Sequence, residues 1–323
     1  MAMVNRRNVR IFKTVIISAI IAMIVIPTII AIVQSVRIGY LQSEIVELYT
    51  QVADLSKRSE RNSISNKPLL DSPGGSASQD EENPFKDYHP GLWIPTKDRA
   101  PDNYTENSSP MIYFTFDDGP SPVTDEVLDI LKEKGVKATF FVIGREDEES
   151  KRLYKRIVDE GHAIAMHSYT HDYSKVYASI DSFLEEFERL SQVIVDATGV
   201  KPTVYRFPGG SNNSNVDPGL MKEIIQEMGA RGYVFYDWHT SAEDAVGHSV
   251  TEEHLYNAIM KNINNREKSG YNRAIILAHD SSANVNLPKV LPRLIDELKE
   301  RGYLFDSVTN RVQPEQFVKV GQK

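Results

Sequence analysis

Short apolar runs alternate with longer amphipathic segments over the last two-thirds of the chain. Seven runs are rich in β-branched and aromatic side chains, as buried strands are: 112–117, 138–143, 163–168, 204–209, 233–238, 274–279 and 303–308. Between them lie stretches such as DEVLDILKEKG, in which apolar residues recur every three or four positions and a glycine ends the pattern. This alternation predicts an α/β fold with a parallel sheet and right-handed crossovers.

The polar residues at the strand ends distinguish between two parallel architectures, an open doubly wound sheet and a closed barrel. Six of them lie at or just beyond the carboxyl end of a run: Asp117, Asp118, His167, Arg206, Asp237 and His279. An open sheet binds ligands at one switch point, whereas a barrel collects side chains from the whole circuit of strand ends. Polar residues at five strand ends therefore favour a seven-stranded (β/α) barrel, which we assign to residues 108–312.

A different pattern occupies the start of the chain. Residues 14–36 carry no charged side chain, and about 20 such residues suffice to cross a bilayer as a helix. Four basic residues precede this run within 1–13, whereas Arg37 alone follows closely, which predicts a cytoplasmic N-terminus and an extracellular remainder. A cleaved signal peptide is the alternative, but the run is long and lacks a convincing cleavage site. We expect an uncleaved, single-pass membrane anchor.

The region after the anchor changes character twice. Apolar residues spaced three and four apart within 38–55 predict a stalk helix over 37–60. The pattern fits either a short two-stranded coiled coil, which would make a homodimer, or a single amphipathic helix. Residues 61–107 are rich in Ser, Gly, Pro and acidic side chains, which predicts a flexible linker. Residues 313–323 follow the last predicted strand and are interpreted as a C-terminal tail.

Charge and composition restrict the partners and the chemistry. The chain has 37 basic and 45 acidic residues, a net charge of −8, which argues against nucleic acid as a partner. It contains no cysteine. Thiolate nucleophiles, disulfides and cysteine-based zinc sites are therefore excluded, and any metal site must be built from His, Asp and Glu.

Two motifs at strand ends carry the residue types of such a site. TFDDGP places two adjacent carboxylates, Asp117 and Asp118, after the first strand, where they face opposite sides and can serve separately as base and ligand. HSYTH places His167 and His171 at a spacing that lets both rings reach one metal ion. Either motif alone also fits a turn or a pair of surface histidines. Together, Asp118, His167 and His171 form the two-nitrogen, one-oxygen set of a catalytic zinc site.

Two further motifs supply charge and a titratable group. In RFPGG, Arg206 is permanently charged and can hold Asp117 ionised, and the Pro-Gly-Gly turn can offer a backbone N–H to developing negative charge. LAH ends a strand with His279, which titrates near neutral pH. Taken singly, a surface arginine in a plain loop and a structural histidine are the alternative interpretations.

These four motifs, in this order over roughly residues 108–310, resemble those of the polysaccharide deacetylases (carbohydrate esterase family four), which include chitin deacetylases and peptidoglycan N-acetylglucosamine deacetylases. The resemblance implies a distorted seven-stranded (β/α) barrel and a divalent metal ion, with zinc expected and cobalt or another ion as alternatives. It also implies a role for each matching residue: Asp117 as the base, Asp118, His167 and His171 as metal ligands, Arg206 as the brace of the base, Gly209 as the oxyanion donor and His279 as the acid.

One segment departs from the family. Where the family commonly has D-x-x-D-W, this chain has Ser241 at the first Asp, Asp244 at the second and Ala245 at the Trp. Asp244 is still expected to tune His279 or Arg206. The missing indole leaves one wall of the sugar groove, and hence the substrate preference, undetermined.

The remaining aromatic candidates are assigned supporting roles. Trp238 ends an apolar strand and is expected in the core. His162 precedes a strand on the side opposite His167 and is interpreted as structural. The other histidines have no matching partner in the sequence and are expected at the surface or behind the site: His89, His239, His248 and His254.

The resemblance and the predicted location together imply an activity. We expect metal-dependent removal of N-acetyl groups from an extracellular N-acetylated polysaccharide, with peptidoglycan as the substrate because an anchored domain lies next to it. Chitooligosaccharide deacetylases and acetylxylan esterases carry almost the same motifs and remain alternatives. A third is a membrane-tethered sugar-binding protein without turnover, which only the altered D-x-x-D-W segment supports.

Overall fold

The computed structural model describes residues 88–104, 109–246 and 248–320, in which eight strands alternate with seven α-helices. The strands are β1 (Met111–Asp117), β2 (Ala138–Ile143), β3 (Ala163–Ser168), β4 (Val204–Tyr205), β5 (Val234–Phe235), β6 (Thr240–Ser241), β7 (Arg273–His279) and β8 (Leu304–Phe305). The helices are α1 (Pro122–Lys134), α2 (Glu148–Asp159), α3 (Tyr173–Val176), α4 (Ile180–Thr198), α5 (Pro218–Ala230), α6 (Glu252–Lys268) and α7 (Leu287–Glu300). Short 3-10 helices precede β1 at Pro90–Leu92 and Thr96–Asp98. The predicted α/β class is confirmed.

The sheet is parallel throughout and forms a half-barrel. Its strands follow the order β5-β4-β3-β2-β1-β7-β6, and β8 pairs with the start of β1. Within the described residues β5 and β6 do not pair, so the sheet stays open there, which is consistent with a distorted seven-stranded (β/α) barrel. The predicted strands at 204–209, 233–238 and 303–308 each contribute only two residues to the sheet, and β6 was not predicted. After β4 the chain turns away at Pro208, which has no N–H to offer to a ladder.

The alternation of β1 sets which side chains face the barrel interior. Ile112, Phe114 and Phe116 pack in the large cluster between the sheet and the helices. Met111 and Tyr113 belong to a second cluster on the opposite face, inside the half-barrel. Both faces are buried, which explains why the strand is an almost continuous apolar run. Because side chains alternate, Thr115 and Asp117 project to the interior side as well.

The loop after β1 is anchored to the end of β7. Ser121 caps α1 by accepting the N–H of Val123 at 3.0 Å. The same hydroxyl donates to the carbonyl of Asp280 at 2.6 Å. The α1 helix ends at Gly135, in the left-handed conformation that the glycine-ended pattern predicts. The two strand ends that carry Asp117 and His279 are thereby held side by side.

Segments on either side of the predicted domain also pack against it. Leu92 and Ile94, which we assigned to the linker, are fully buried, and the Arg231 guanidinium lies 5.1 Å from the centre of the Trp93 ring. At the other end, the N–H of Asp237 donates to the carbonyl of Glu315 at 2.8 Å. Parts of the described segments 88–104 and 313–320 therefore pack against the domain that we assigned to residues 108–312.

The predicted anchor (14–36), stalk (37–60) and dimer contact (38–55) lie outside the described residues. Within the described part of the chain, no helix combines the length and the apolar character that a membrane span requires.

Candidate functional site

Three candidate metal ligands converge at the carboxyl ends of β1 and β3. Asp118 follows β1 directly, His167 lies in β3, and His171 lies in the loop after β3. One ligand atom from each lies within 4.8 Å of the other two. Asp118 Oδ1 is 3.3 Å from His171 Nε2 and 3.5 Å from His167 Nε2. The structure thus brings together the three residues that the motifs single out.

The donor atoms fit a divalent metal ion. Asp118 Oδ1 is buried and makes no hydrogen bond with the described residues, an arrangement that a cation would relieve. His167 Nδ1 lies 2.9 Å from the carbonyl of Arg206. Since a carbonyl only accepts, Nδ1 carries the proton, and the lone pair of Nε2 faces Asp118. Burial lowers the pKa of His167 to about 3, so its ring is neutral, as a metal ligand must be.

The backbone at two of these residues is held in an unfavourable conformation. Asp118 and His171 have φ values of 73° and 54°, in the left-handed region that non-glycine residues rarely adopt. The N–H of His171 donates to Ser168 Oγ at 3.0 Å, which helps to hold that turn. Strain of this kind persists where the surrounding structure enforces it, and it is frequent at functional sites.

Asp117 and Arg206 form a buried ion pair inside the half-barrel. Arg206 Nη1 donates to Asp117 Oδ1 and to Thr115 Oγ1, each at 2.8 Å. Its Nε donates to the carbonyl of Tyr236 at 2.9 Å. Burial raises the pKa of Asp117, and the nearby Arg206 charge only partly opposes that rise. Asp117 Oδ2, which lies 3.8 Å from His167 Nε2, faces the candidate metal ligands.

His279 lies opposite Asp117 on the neighbouring strand and is paired with Asp244. Asp244 Oδ1 lies 2.7 Å from His279 Nδ1, and Asp244 Oδ2 accepts the N–H of His279 at 2.9 Å. Burial alone would lower the pKa of His279, but the hydrogen bond and charge of Asp244 and the charges of Asp117 and Asp118 raise it to about 9. Asp244 was expected to contact His279 or Arg206, and in the structure it contacts His279.

The turn after Arg206 presents a free backbone donor. Gly209 has a φ of 78°, and its N–H meets no hydrogen-bond acceptor among the described residues. A Cβ at this position would lie 2.6 Å from both the Tyr173 hydroxyl and Asn213 Nδ2. Only glycine fits this close approach and this backbone conformation.

Asp280, which the sequence did not single out, and Trp238 also contact this region. Asp280, fully buried, accepts the hydroxyl of Thr124 at 2.5 Å, and burial raises its pKa to about 7. Its place directly after His279 was the one signal available. Trp238, expected in the core, is partly buried against Gly210 and packs edge-on to Phe317 with ring centres 5.1 Å apart.

Two histidines outside the site, His162 and His239, accept hydrogen bonds from the backbone. His162 is buried, and its Nδ1 accepts the N–H of Ala138 at 3.2 Å, in agreement with a structural role. The side chain of His239 is mostly buried, and its Nδ1 accepts the N–H of Ile275 at 3.0 Å. It therefore joins β7 to the chain after β5.

Comparisons with known proteins give consistent results. A family model described as polysaccharide deacetylase matches residues 104–233. A peptidoglycan-N-acetylglucosamine deacetylase of Bacillus cereus is 34% identical over 215 residues, covering 63% of this chain and 88% of the relative. A second protein with that name from the same species is 31% identical over 209 residues, covering 64% of this chain and 72% of the relative.

The fold shows the same likeness. The crystal structure of the catalytic domain of a peptidoglycan N-acetylglucosamine deacetylase from Eubacterium rectale matches with a TM-score of 0.61 at 28% sequence identity. The match covers 69% of this chain and 99% of that chain.

Proposed function

The chain belongs to the polysaccharide deacetylase family of hydrolases that act on amide bonds, and we propose on this basis that it removes N-acetyl groups from the N-acetylglucosamine of peptidoglycan. One observation carries the proposal. A buried carboxylate, Asp117, and a protonated imidazole, His279, lie opposite each other beside the three candidate metal ligands. The names of the two Bacillus cereus relatives support peptidoglycan as the substrate.

We propose that Asp118, His167 and His171 hold a divalent ion, with zinc expected and cobalt as an alternative. Two nitrogen ligands and one oxygen ligand accept several divalent ions, so metal availability contributes to the choice. When bound, the ion would lower the pKa of water and polarise the acetyl carbonyl.

Asp117 is the proposed general base. Its Oδ1 is engaged by Arg206, so Oδ2 is the oxygen that takes a proton from the attacking water. A raised pKa makes this carboxylate a stronger base than one in water. As the water oxygen bonds to the acetyl carbon, the carbonyl oxygen becomes negative, and the N–H of Gly209 donates to it.

His279 is the proposed general acid. Its Nδ1 is engaged by Asp244, so Nε2 carries the proton that goes to the sugar nitrogen as the C–N bond breaks. With a pKa of about 9, the ring retains this proton at neutral pH. The products are acetate and the free amino sugar.

We also propose that the domain works outside the cell on a single-pass membrane anchor. The uncharged run 14–36 and the basic residues within 1–13 support this orientation. Protease added to intact cells should digest the domain but leave the N-terminus protected. Cross-linking through cysteines introduced within 38–55 tests for a homodimer, since the natural chain has none.

Acetate release tests the reaction and its substrate together. The purified full chain would be stripped of metal, given zinc or cobalt, and incubated with N-acetylated peptidoglycan, chitooligosaccharide or acetylated xylan. Metal-dependent release from peptidoglycan is the expected result. Release only from one of the other two substrates would keep the mechanism and reject peptidoglycan. No release from any of them, with zinc bound, would favour the sugar-binding protein.

A further inference from the structure

The backbone donor in the turn after β4 is one end of a peptide group whose other end is held. The N–H of Gly209 and the carbonyl of Pro208 belong to the same peptide unit, which is trans. In a trans peptide the two bonds point in opposite directions, so fixing the carbonyl fixes the N–H. The Tyr177 hydroxyl donates to the Pro208 carbonyl at 2.9 Å, and Asn213 Nδ2 does so at 3.3 Å.

Tyr177 is itself well placed to hold this peptide. It follows α3 directly, and its ring packs between Tyr173 and Phe183 with ring centres 5.8 Å and 6.2 Å away. Burial raises the pKa of the Tyr177 phenol far above its ordinary value, so the hydroxyl stays protonated and donates. Neither the deacetylation steps above nor the sequence motifs assign it a role.

Asp237 holds the other side of the turn. Gly209 and Gly210 have φ values of 78° and 82°. Because glycine restricts the backbone least, other residues must hold this turn in one conformation. Asp237, which is fully buried, supplies one: Oδ1 accepts the N–H of Ser211 at 2.9 Å, and Oδ2 accepts the Ser211 hydroxyl at 2.6 Å. Asp237 Oδ2 also accepts the N–H of Phe317 at 2.7 Å.

We propose that Tyr177 and Asp237 are positioning residues that aim the Gly209 N–H at the oxygen of the acetyl group as negative charge develops there. This inference rests on the proposed deacetylase function. Neither side chain is proposed to contact substrate, because each acts through the peptide that it holds.

The clearest test replaces Tyr177 by phenylalanine, which removes one hydroxyl and keeps the ring. Removing an oxyanion donor outright costs about 10²–10³ in kcat, and a misaimed donor should cost less, about 10-fold. KM and zinc affinity should stay at the wild-type values. Tyr303→Phe is the matched control, because it also removes a tyrosine hydrogen bond, to Glu267 at 3.1 Å, but remote from the site.

Asp237→Asn tests the second anchor with an almost isosteric change. If the amide NH₂ replaces Oδ1, it faces the Ser211 N–H, and if it replaces Oδ2, it faces the Phe317 N–H. Since all of these groups are donors, one backbone N–H loses its acceptor in either case. A similar fall in kcat is expected, again without a change in KM. Binding of a phosphonate analogue of the N-acetyl group, which mimics the oxyanion, should weaken by the same factor in both variants.

The outcomes separate this inference from the function on which it rests. If the wild-type chain releases no acetate with metal bound, the deacetylase proposal fails. If the wild type is active and both variants keep its kcat per folded molecule, the positioning roles are wrong. They are also wrong if the variants change only in KM or in zinc affinity. Folded fractions come from circular dichroism on the same samples.

Discussion

The pairing of Asp117 with Arg206 places two opposite charges inside the half-barrel, shielded from bulk solvent. Both side chains are almost completely buried, and burying two ions costs several kcal/mol that only close hydrogen bonding offsets. Arg206 meets this condition with donors to Asp117, Thr115 and the carbonyl of Tyr236. The pair favours the ionised form of this carboxylate and fixes it beside the candidate metal ligands.

Arg206→Met should raise the pKa of Asp117 further, because it removes the positive charge that opposes the effect of burial. A base must be ionised to act, so the acid limb of the pH–rate profile should move to higher pH, and activity should recover partly as pH rises. Loss of one partner of a buried pair should also destabilise the fold by about 3–5 kcal/mol. The profile of kcat/KM and urea unfolding measure the two effects. An acid limb that stays in place would exclude this role for Arg206.

Asp244→Asn should shift the alkaline limb of the pH–rate profile, and the shift should be to lower pH. His279 must keep its proton to act as an acid, and the pKa of about 9 depends largely on the hydrogen bond and charge of Asp244. Without that charge the pKa falls, so the alkaline limb of kcat/KM should move to lower pH by at least about one unit. Ser241→Ala, a change in the same altered motif, is the control. An unshifted alkaline limb in Asp244→Asn would mean that another group is the acid.

At the scale of elements, the C-terminal segment 313–320 is joined to the site through Asp237. The carbonyl of Glu315 accepts the N–H of Asp237 at 2.8 Å, and the N–H of Val318 donates to Ser211 Oγ at 3.1 Å. The segment thus contacts both the residue that anchors the glycine turn and the turn itself. Its position after the last strand gave no indication of this in the sequence.

Deletion of residues 313–323 should therefore reduce both stability and turnover. The Asp237 carboxylate would lose the hydrogen bond from the Phe317 N–H, and the Asp237 N–H would lose the Glu315 carbonyl. A buried polar group left without a partner lowers the free energy of unfolding by about 1–3 kcal/mol. At about 2–4 °C per kcal/mol, the melting temperature should fall by several degrees. Calorimetry gives this value, and deletion of residues 321–323 alone is the control. An unchanged melting temperature and kcat would show that the segment only rests on the surface.

At the scale of the molecule, the sequence predicts those elements whose pattern lies within one short segment of the chain. The β1, β2, β3 and β7 strands are long apolar runs, and their bounds agree with the structure to within one residue. The two-residue strands owe their pairing to neighbours distant in the chain, and the opening between β5 and β6 is a property of the whole sheet. No local pattern contains that information.

The same distinction holds for the site. Asp117, Asp118, His167, His171 and His279 lie in short motifs whose residue types suit the chemistry, so the sequence brings them forward. Tyr177 and Asp237 matter because they hydrogen-bond to peptide groups that lie 31 and 26 residues away in the chain. The sequence places Asp237 at a strand end, but these contacts exist only once the barrel has formed, so single segments could not reveal what either side chain holds.

We propose that metal binding and proton abstraction belong to different carboxylates, Asp118 and Asp117. The most direct measurement compares zinc binding and acetate release by the wild type and Asp117→Asn, with peptidoglycan as substrate. The variant is expected to bind zinc as the wild type does and to lose nearly all turnover. Retained turnover, or loss of zinc binding together with activity, would contradict it.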